Sequence, residues 1–442
     1  MIKKLGEGTF SEVFKAQSLK SGDFVAIKCI KALYNSIEDV NKLREVRALK
    51  RLSSFSNIIN LIEVVYDEET KRLALVFELM EMNLYEAIKG RKKFLSESKV
   101  KLWIFQVLKA LNFMHRNGIF HRDIKPENIL LKGGTNIKLA DLGSCKGIYG
   151  KQPFTEYIST RWYRAPECLL TDGYYNYKMD IWGLGCVFFE MLTLCPLFPG
   201  DNEIDQVNKI HQILGSPSIE LFNKLLSHSQ RTDISYSKKN GVGIKRYLSH
   251  VSDDAVDVIS KMLIYDPEKR FTAKECLTHP YFKDLYEQEE RKKGLFMMSF
   301  NGGINDSMSY IRNDDSLFLS KKKDKKDNLL VLPNIKVINF NIVEDSENEN
   351  SKSNININHI DSYVRLPKIG KIKYGKETGN WLNSNEFKNS LKHNLSNHSI
   401  DGLNNSSIKT QYAKQLRKRI IEVKKNYVSP YSKKNIENNI HV

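Results

Sequence analysis

The chain has 442 residues, a length too great for one compact core, so roughly two or three domains are expected. Its net charge is +17, of which residues 1–282 carry about +8 and the shorter remainder about +9. Such a basic surplus is compatible with nucleic acid, an acidic membrane surface or acidic peptides as partners. The six cysteines form no C-x-x-C pair and all precede residue 283, which speaks against a disulfide framework or a zinc site and indicates a reduced intracellular protein.

Residues 1–77 are predicted to form short strands around one main helix. The apolar runs Val25–Lys28 and Leu73–Phe77 have the composition and length of strands. Between them, apolar residues recur at helical spacing, with charged residues on the other face; these are Val40, Leu43, Val46, Leu49 and Leu52. From Ser96 onward the helical period dominates, so a smaller β-rich part precedes a larger helical part.

The first chemical motif is a glycine-rich turn, Gly6–Val13, between the first two predicted strands. Glycines there let backbone N–H groups approach the phosphates of a nucleotide, and Val13 would cap the adenine. Ser11 replaces the third glycine of the G-x-G-x-x-G pattern, and a lone G-x-G is a weak signal. Its position about twenty residues before Val-Ala-Ile-Lys favours a phosphate loop, with Lys28 bridging the α- and β-phosphates. The alternative, an exposed lysine of no special role, fits poorly because three apolar residues precede Lys28.

Lys28 needs a carboxylate to orient it, and the predicted helix offers Glu45. Two other carboxylates, Glu38 and Asp39, lie nearer the start of that helix. Glu45 is the predicted partner because it precedes the core stripe residues Val46, Leu49 and Leu52 in the expected register.

The stretch His121–Asn128 reads H-R-D-I-K-P-E-N and places several phosphoryl-transfer groups in one loop. Asp123 is predicted to accept the proton of the incoming hydroxyl, and Lys125 to neutralise the transferred phosphoryl group. Asn128 and Asp141 are predicted to hold Mg²⁺, a hard cation that prefers oxygen ligands. An isolated H-R-D tripeptide occurs by chance, but here the upstream turn and lysine and the downstream Asp141–Gly143 and Ala165–Glu167 follow in order.

Taken together, residues 1–282 resemble a eukaryotic protein kinase domain. The stretch Thr160–Glu167 points to the CMGC serine/threonine group, and the segments Gly6–Val13 and Thr155–Gly173 look most like the MAPK/MAK/MRK overlapping kinase family. Leu142 stands where the family pattern has phenylalanine, which leaves the neighbouring metal ligand untouched. The first strand is shorter than the family's, which leaves open whether Met1 is the true start.

The resemblance implies an α+β, bilobal kinase fold, with a β-rich N-lobe (1–77) holding one main helix, a hinge (78–80) and a mostly helical C-lobe (81–282). It also implies pairing of Glu167 with Arg270, and of Asp180 with the backbone of the catalytic loop. ATP and Mg²⁺ are the implied cofactors. The predicted ATP-binding residues are Gly6, Glu7, Gly8, Thr9, Phe10, Ser11, Val13, Ala26, Lys28, Phe77, Glu78, Met80 and Leu130.

Thr155-Glu156-Tyr157 matches a dual-phosphorylation motif, and its position shortly before Thr160 makes it informative. A phosphate carries nearly two negative charges and needs several donors to order a loop. Thr155 and Tyr157 are therefore predicted regulatory phosphosites, modified by an upstream kinase or by autophosphorylation. The alternative is that the nearby basic residues simply solvate the loop. The predicted phosphate pocket comprises Arg44, Arg122 and Lys146 for phosphothreonine, and Arg161 and Arg164 for phosphotyrosine.

Residues 283–442 are rich in Asn, Lys and Ser and are predicted to be a mostly disordered basic tail. Within it, residues 411–425 carry Tyr412, Leu416, Ile420 and Val423 on one helical face, which fits either a docking helix or a solvated transient one. No apolar run approaches the roughly 18 residues of a membrane helix. A monomeric cytoplasmic protein is expected, with a cilium or flagellum suggested by the resemblance and the nucleus left open.

The predicted function is an ATP-dependent serine/threonine kinase acting on protein substrates, with proline after the target residue suggested by the resemblance. A catalytically silent kinase fold, acting as a scaffold through its basic tail, is the alternative. It fits less well because silent relatives usually lack one member of the set Lys28, Glu45, Asp123, Asn128 and Asp141. Specific nucleic-acid binding is not predicted, because charge alone supports it and stacking platforms are missing from the pattern.

Overall fold

The structure is a computed structural model that describes residues 1–300, apart from residues 20, 53, 155–159 and 232, and the short segment 335–338. The chain divides into two compact units. The first contains Met1–Leu79 and the described part of Lys274–Ser362, and the second contains Met80–Ala273. Among the residues that the structure describes, no helix combines the length and apolarity needed to cross a membrane.

The first unit is built on a twisted sheet in which six described strands follow the order β1-β2-β3-β5-β4-β11. Neighbours are antiparallel except for β4 and β11, which are parallel. Both strands predicted from apolar runs are present, in β3 and β5. The bounds are β1 Lys3–Glu7, β2 Ser11–Gln17, β3 Phe24–Ile30, β4 Leu61–Asp67, β5 Arg72–Glu78 and β11 Ile335–Ile338.

The single helix predicted in this unit is observed as two helices, α1 (Ile37–Lys42) and α2 (Arg44–Leu52). The break falls at Leu43, whose backbone is extended (ψ 131°) and whose amide donates to Val40 O at 3.1 Å. Ser36 caps α1 by accepting a hydrogen bond from the Asp39 amide. The predicted apolar stripe is nevertheless the buried face, because Val40, Val46, Leu49 and Leu52 are all at most 1% exposed.

The second unit is mostly helical, with short strands near its loops. Its strands are β6 Met82–Asn83, β7 Ile119–Phe120, β8 Ile129–Lys132, β9 Asn136–Leu139 and β10 Lys146–Gly147. Its helices are α3 Leu84–Ile88, α4 Glu97–Arg116, α5 Pro166–Leu170, α6 Met179–Thr193, α7 Glu203–Leu214, α8 Ile219–Leu226 and α9 Asp253–Met262. Helix α6 is buried along nearly its whole length, with Trp182 and Phe188 fully inaccessible, so it is the central element of this unit.

Three further elements follow in the chain, α10 (Ala273–Leu277), a 3₁₀ turn (Pro280–Phe282) and α11 (Lys283–Phe300). Most of the predicted disordered tail, including the segment 411–425, lies outside the described residues. Inside that tail the structure describes strand β11 and the whole of α11, the last helix among the described residues, so the first 18 residues predicted as disordered tail are helical. The β11 segment is one that no sequence motif singles out.

Candidate active site

The first part of the site is an ion pair within the first unit. Lys28 lies on β3, and its Nζ is 2.6 Å from Oε1 of Glu45, in the first turn of α2. Both side chains are mostly buried, at 16% and 15% exposure, so solvent screens the pair less than a surface ion pair. Of the two other sequence candidates, Asp39 instead pairs with Lys42 at 3.2 Å. The structure therefore brings to Lys28 the carboxylate that the sequence favoured.

The glycine-rich turn lies between β1 and β2 and is held by a lysine that no sequence motif singles out. Nζ of Lys31 donates to the carbonyl oxygen of Gly8 at 2.9 Å and lies 3.0 Å from Oε1 of Glu7. The Lys31 amide also donates to Phe10 O at 2.9 Å, and the Gly8 amide donates to Ser11 O at 2.8 Å. Lys31 follows β3, so one strand carries Lys28 and leads directly into the residue that holds the turn.

The strand register places the other predicted nucleotide contacts of this unit side by side. Val13 pairs with Lys28 across β2 and β3, and Ala26 pairs with Phe77 across β3 and β5. At the end of β5, the Glu78 amide donates to Asn60 O at 3.2 Å, so its N–H is already engaged. Gly6, Glu7, Gly8, Thr9 and Phe10 are exposed, Ser11 and Val13 are half-buried, and so are Met80 and Leu130 in the second unit.

Asp123 is the centre of the second part of the site. The residue is 6% exposed, and its Oδ2 is 2.9 Å from both Lys125 Nζ and Asn128 Nδ2. Its Oδ1 is buried and has no hydrogen-bond partner in the described part of the chain. A buried acceptor of this kind is costly unless a ligand or water completes it. Two neighbours thus fix the carboxylate and leave one oxygen available for an incoming hydroxyl.

A carboxylate on helix α6 sets the shape of this loop by accepting hydrogen bonds from the loop backbone. Asp180 accepts hydrogen bonds from the amides of His121 and Arg122, each at 2.8 Å, and from His115 Nε2 at 2.9 Å. Arg122 takes the left-handed conformation (φ 70°), which is uncommon for a side chain other than glycine. The His121 ring bridges Ala140 O and the Asp123 amide. The predicted contact between Asp180 and the loop backbone is observed.

The predicted metal ligands lie at the end of the β8–β9 hairpin. The Ala140 amide donates to Asn128 O at 2.9 Å. This hydrogen bond holds the backbone next to Asp141 against the backbone of Asn128, although the two residues are distant in sequence. Asn128 Nδ2 is bound to Asp123, which turns the amide oxygen, the atom a hard cation needs, away from that contact. Asp141 is exposed and left-handed (φ 61°). One amide oxygen and one carboxylate suit a Mg²⁺ ion that takes its other ligands from phosphates and water.

Of the predicted phosphate pocket, Arg122 and Lys146 lie in the second unit. Arg122 is buried; its Nε donates to Ser144 O at 2.7 Å and its Nη1 to the Tyr175 hydroxyl at 2.8 Å. Lys146 Nζ lies 4.4 Å from the ring centre of Phe154. Arg44 is exposed in the first unit. Thr155 and Tyr157 are outside the described residues, so their contacts with this pocket stay a prediction.

The two arginines predicted for phosphotyrosine differ in their partners. Arg161 donates from Nη1 to Asp201 O at 3.0 Å, and its buried Nε has no partner among the described residues. Arg164 is 6% exposed and pairs with Glu203 at 3.2 Å. Glu203 also pairs with Arg231 at 2.5 Å. Glu203 and Arg231 were not predicted from the sequence, since no local motif links residues so far apart in the chain.

An ion pair buried more deeply lies beside this region. Arg270, fully buried, donates from Nη1 and Nη2 to the two carboxylate oxygens of Glu167 at 2.6 and 2.9 Å. The pairing predicted from the sequence is therefore observed, as a bidentate ion pair. It fixes the start of α5, which follows the segment holding Arg161 and Arg164.

Comparison with known proteins agrees with this geometry. A family model described as Protein kinase domain matches residues 1–282, which include every candidate site residue. The chain is 51% identical over 293 residues to the MAPK/MAK/MRK overlapping kinase of Homo sapiens, covering 66% of this chain and 70% of that relative. The protein of the same description from Mus musculus is 52% identical over 282 residues, covering 64% and 67%. Serine/threonine-protein kinase MAK of Mus musculus is 39% identical over 282 residues, covering 64% and 45%.

Proposed function

Because the chain belongs to the protein kinase family and is a serine/threonine protein kinase of the CMGC group, we propose that it transfers the γ-phosphoryl group of ATP to serine or threonine followed by proline. The observation that carries the proposal is the Asp123 carboxylate, with one oxygen held by Lys125 and Asn128 and the other buried without a partner among the described residues. That available acceptor suits a substrate hydroxyl.

In this reaction Asp123 accepts the hydroxyl proton as the oxygen attacks the γ-phosphorus, the bond from that phosphorus to the β–γ bridging oxygen breaks, and ADP leaves. Lys125 balances charge on the transferred group. Lys28, oriented by Glu45, holds the α- and β-phosphates, and the turn held by Lys31 presents backbone N–H groups to them. A divalent cation, proposed to be Mg²⁺, would be held by Asn128 and Asp141 and would neutralise phosphate charge. Asn128 therefore has two tasks, because its amide nitrogen also orients Asp123.

Activity is proposed to depend on phosphorylation of Thr155 and Tyr157. The support is a set of cations in the second unit: Arg122, which is buried, Lys146, whose ammonium lies over the ring of Phe154 next to Thr155 in the chain, and Arg161, whose buried Nε has no partner among the described residues. A Thr155→Ala, Tyr157→Phe double variant that keeps full turnover would contradict this switch. Incubation with ATP alone separates an upstream kinase from autophosphorylation, because autophosphorylation would label Thr155 and Tyr157 in wild type but not in Asp123→Asn, whereas dependence on an upstream kinase would leave both proteins unlabelled.

The catalytic proposal is tested by phosphate transfer to a generic basic protein. Wild type is expected to exceed Asp123→Asn by at least about 100-fold, the usual minimum contribution of a positioned base. The matched control is Asp253→Asn, which makes the same chemical change at an exposed residue and is expected to keep full activity. Equal incorporation by wild type and Asp123→Asn would instead favour the scaffold alternative.

Proline direction is tested with paired peptides that differ only in proline or alanine after the target serine. A preference below about 10-fold in kcat/KM would contradict it. A monomeric protein of the cytoplasm with a role in the cilium or flagellum is proposed on the strength of the family resemblance. Sedimentation of the purified chain and imaging of the tagged protein in ciliated cells test these two points.

A further inference from the structure

Strand β4 has a neighbour on its outer side. The four-residue strand β11 pairs with it in parallel, with Ile335 opposite Val64 and Ile338 opposite Asp67. β4 would otherwise be an edge of the sheet, since its other neighbour is β5. An edge strand presents a row of unpaired N–H and C=O groups, and these are a template for any extended segment that reaches them.

The β4 residues covered in this way are unusual for an edge. Val64, Val65 and Tyr66 are fully buried and Asp67 is 3% exposed, so four successive residues lack the usual alternation of buried and exposed side chains. Just before them, Ile62 is 44% exposed and unmatched in the β11 register. The buried stretch of β4 therefore coincides with the stretch that β11 pairs.

The occupant has the composition of a strand inside a polar tail. Ile335-Lys336-Val337-Ile338 contains three β-branched residues and lies between Pro333-Asn334 and Asn339, which suit strand ends. Residues 301–334 join it to the end of α11, and a chain of that length can span up to roughly 110 Å. The connection therefore allows the segment to reach β4 of its own molecule.

We propose that the outer edge of β4 is a docking site for the chain's own segment Ile335–Ile338, which adds a parallel strand to the sheet. The pairing continues a row across the sheet, because Val64 is opposite Leu75 and Leu75 is opposite Lys28. Docking thus closes the sheet on the side away from the glycine-rich turn. It also protects an edge that would otherwise be open to other chains.

The test uses a double proline variant of the full chain, Lys336→Pro with Val337→Pro. Alternate residues of a strand direct their N–H groups to a given neighbour, so two successive prolines remove one such donor in either phase. The matched control is Lys352→Pro with Ser353→Pro, outside the paired segment. The measurement is hydrogen–deuterium exchange of the amides in Leu61–Asp67.

Exchange of the amides in Val64–Asp67 that are directed toward β11 is expected to be at least about 5-fold faster in the Lys336→Pro, Val337→Pro variant and unchanged in the control. A synthetic peptide of residues 331–342 should restore the protection. Equal exchange in wild type and both variants would overturn the proposal. Protection that increases with protein concentration would also overturn it, because it would mean that a second copy supplies the strand. Phosphotransfer is not a readout, so failure of the proposed function would not affect the result.

Discussion

The side-chain ammonium of Lys31 donates a hydrogen bond to the carbonyl oxygen of Gly8 at 2.9 Å. This contact ties the glycine-rich turn to the end of β3, the strand that also carries Lys28. The position of the turn is therefore coupled to the position of the lysine expected to bind the same phosphates.

Replacement of Lys31 by methionine is expected to raise KM for ATP by about 3- to 10-fold, with a smaller change in kcat, because the turn loses its tether. Lys31→Arg should restore most of the affinity, since a guanidinium can still donate to Gly8 O. The control is Lys15→Met, on β2, where the ammonium lies over the Phe24 ring instead. Steady-state kinetics with varied ATP provide the measurement, and an unchanged KM would contradict the tether.

Stability is expected to depend on pH through Glu190. Burial raises the pKa of this carboxyl to about 7, even though the Tyr163 hydroxyl donates to it at 2.7 Å. Between the ordinary pKa near 4.5 and about 7, the folded state keeps a proton that the unfolded chain has lost. The free energy of unfolding should therefore fall as pH rises through this window, with a slope of at most about 1.4 kcal/mol per pH unit.

Glu190→Gln should remove that part of the pH dependence, because glutamine does not titrate and can still accept from Tyr163. Urea unfolding of both proteins between about pH 5 and pH 8 gives the comparison. The difference in unfolding free energy, wild type minus variant, should become smaller with rising pH. A difference that stays constant across this range would show that Glu190 has no raised pKa in the folded state.

Gly173 is expected to tolerate no side chain. The backbone of Phe154 lies against it, and the Phe154 N–H donates to Gly173 O at 2.8 Å. A Cβ on Gly173 would overlap the Phe154 carbonyl oxygen. Gly173→Ala should therefore lower the free energy of unfolding by at least about 3 kcal/mol. Gly133→Ala is the control, because Gly133 also has a positive φ but open space around it; about 1 kcal/mol is expected there. Equal losses would show that steric overlap is not the cause.

The pair of Glu167 and Arg270 makes a similar prediction for stability. Glu167→Gln leaves the fully buried Arg270 guanidinium without its counter-charge, which should cost about 3–5 kcal/mol. The urea midpoint is expected to fall accordingly. The exposed pair of Lys245 and Asp253 offers the contrast, and Asp253→Asn should leave the midpoint unchanged. A Glu167→Gln protein as stable as wild type would argue against a structural role for the pair.

The local motifs were the most predictable part of the site. Asp123, Lys125 and Asn128 lie within one loop, so their proximity follows from the chain itself. The Lys28–Glu45 pair was also predictable, because strand and helix periodicities fixed the face on which each residue lies. What the sequence could not show was that Asn128 uses its nitrogen to orient Asp123, since a motif does not specify side-chain rotation.

The contacts missed from the sequence join residues distant in the chain. Glu203 meets Arg164 and Arg231, and Tyr175 meets Arg122, through packing that no hydrophobic period encodes. The break at Leu43 was missed for another reason, because apolar spacing continues across it while only the backbone changes. Strand β11 has strand-like composition, but its pairing with β4 depends on an edge that the sequence alone does not define.

One carboxylate shared between two guanidinium groups has a consequence for signalling. A phosphate dianion arriving at Arg164 would compete with Glu203, the first residue of α7, and leave that carboxylate to Arg231 alone. Phosphorylation of Tyr157 would then change the ion pairing of Glu203 at the start of α7. A partner bound at α7 could sense this change without any change at Asp123.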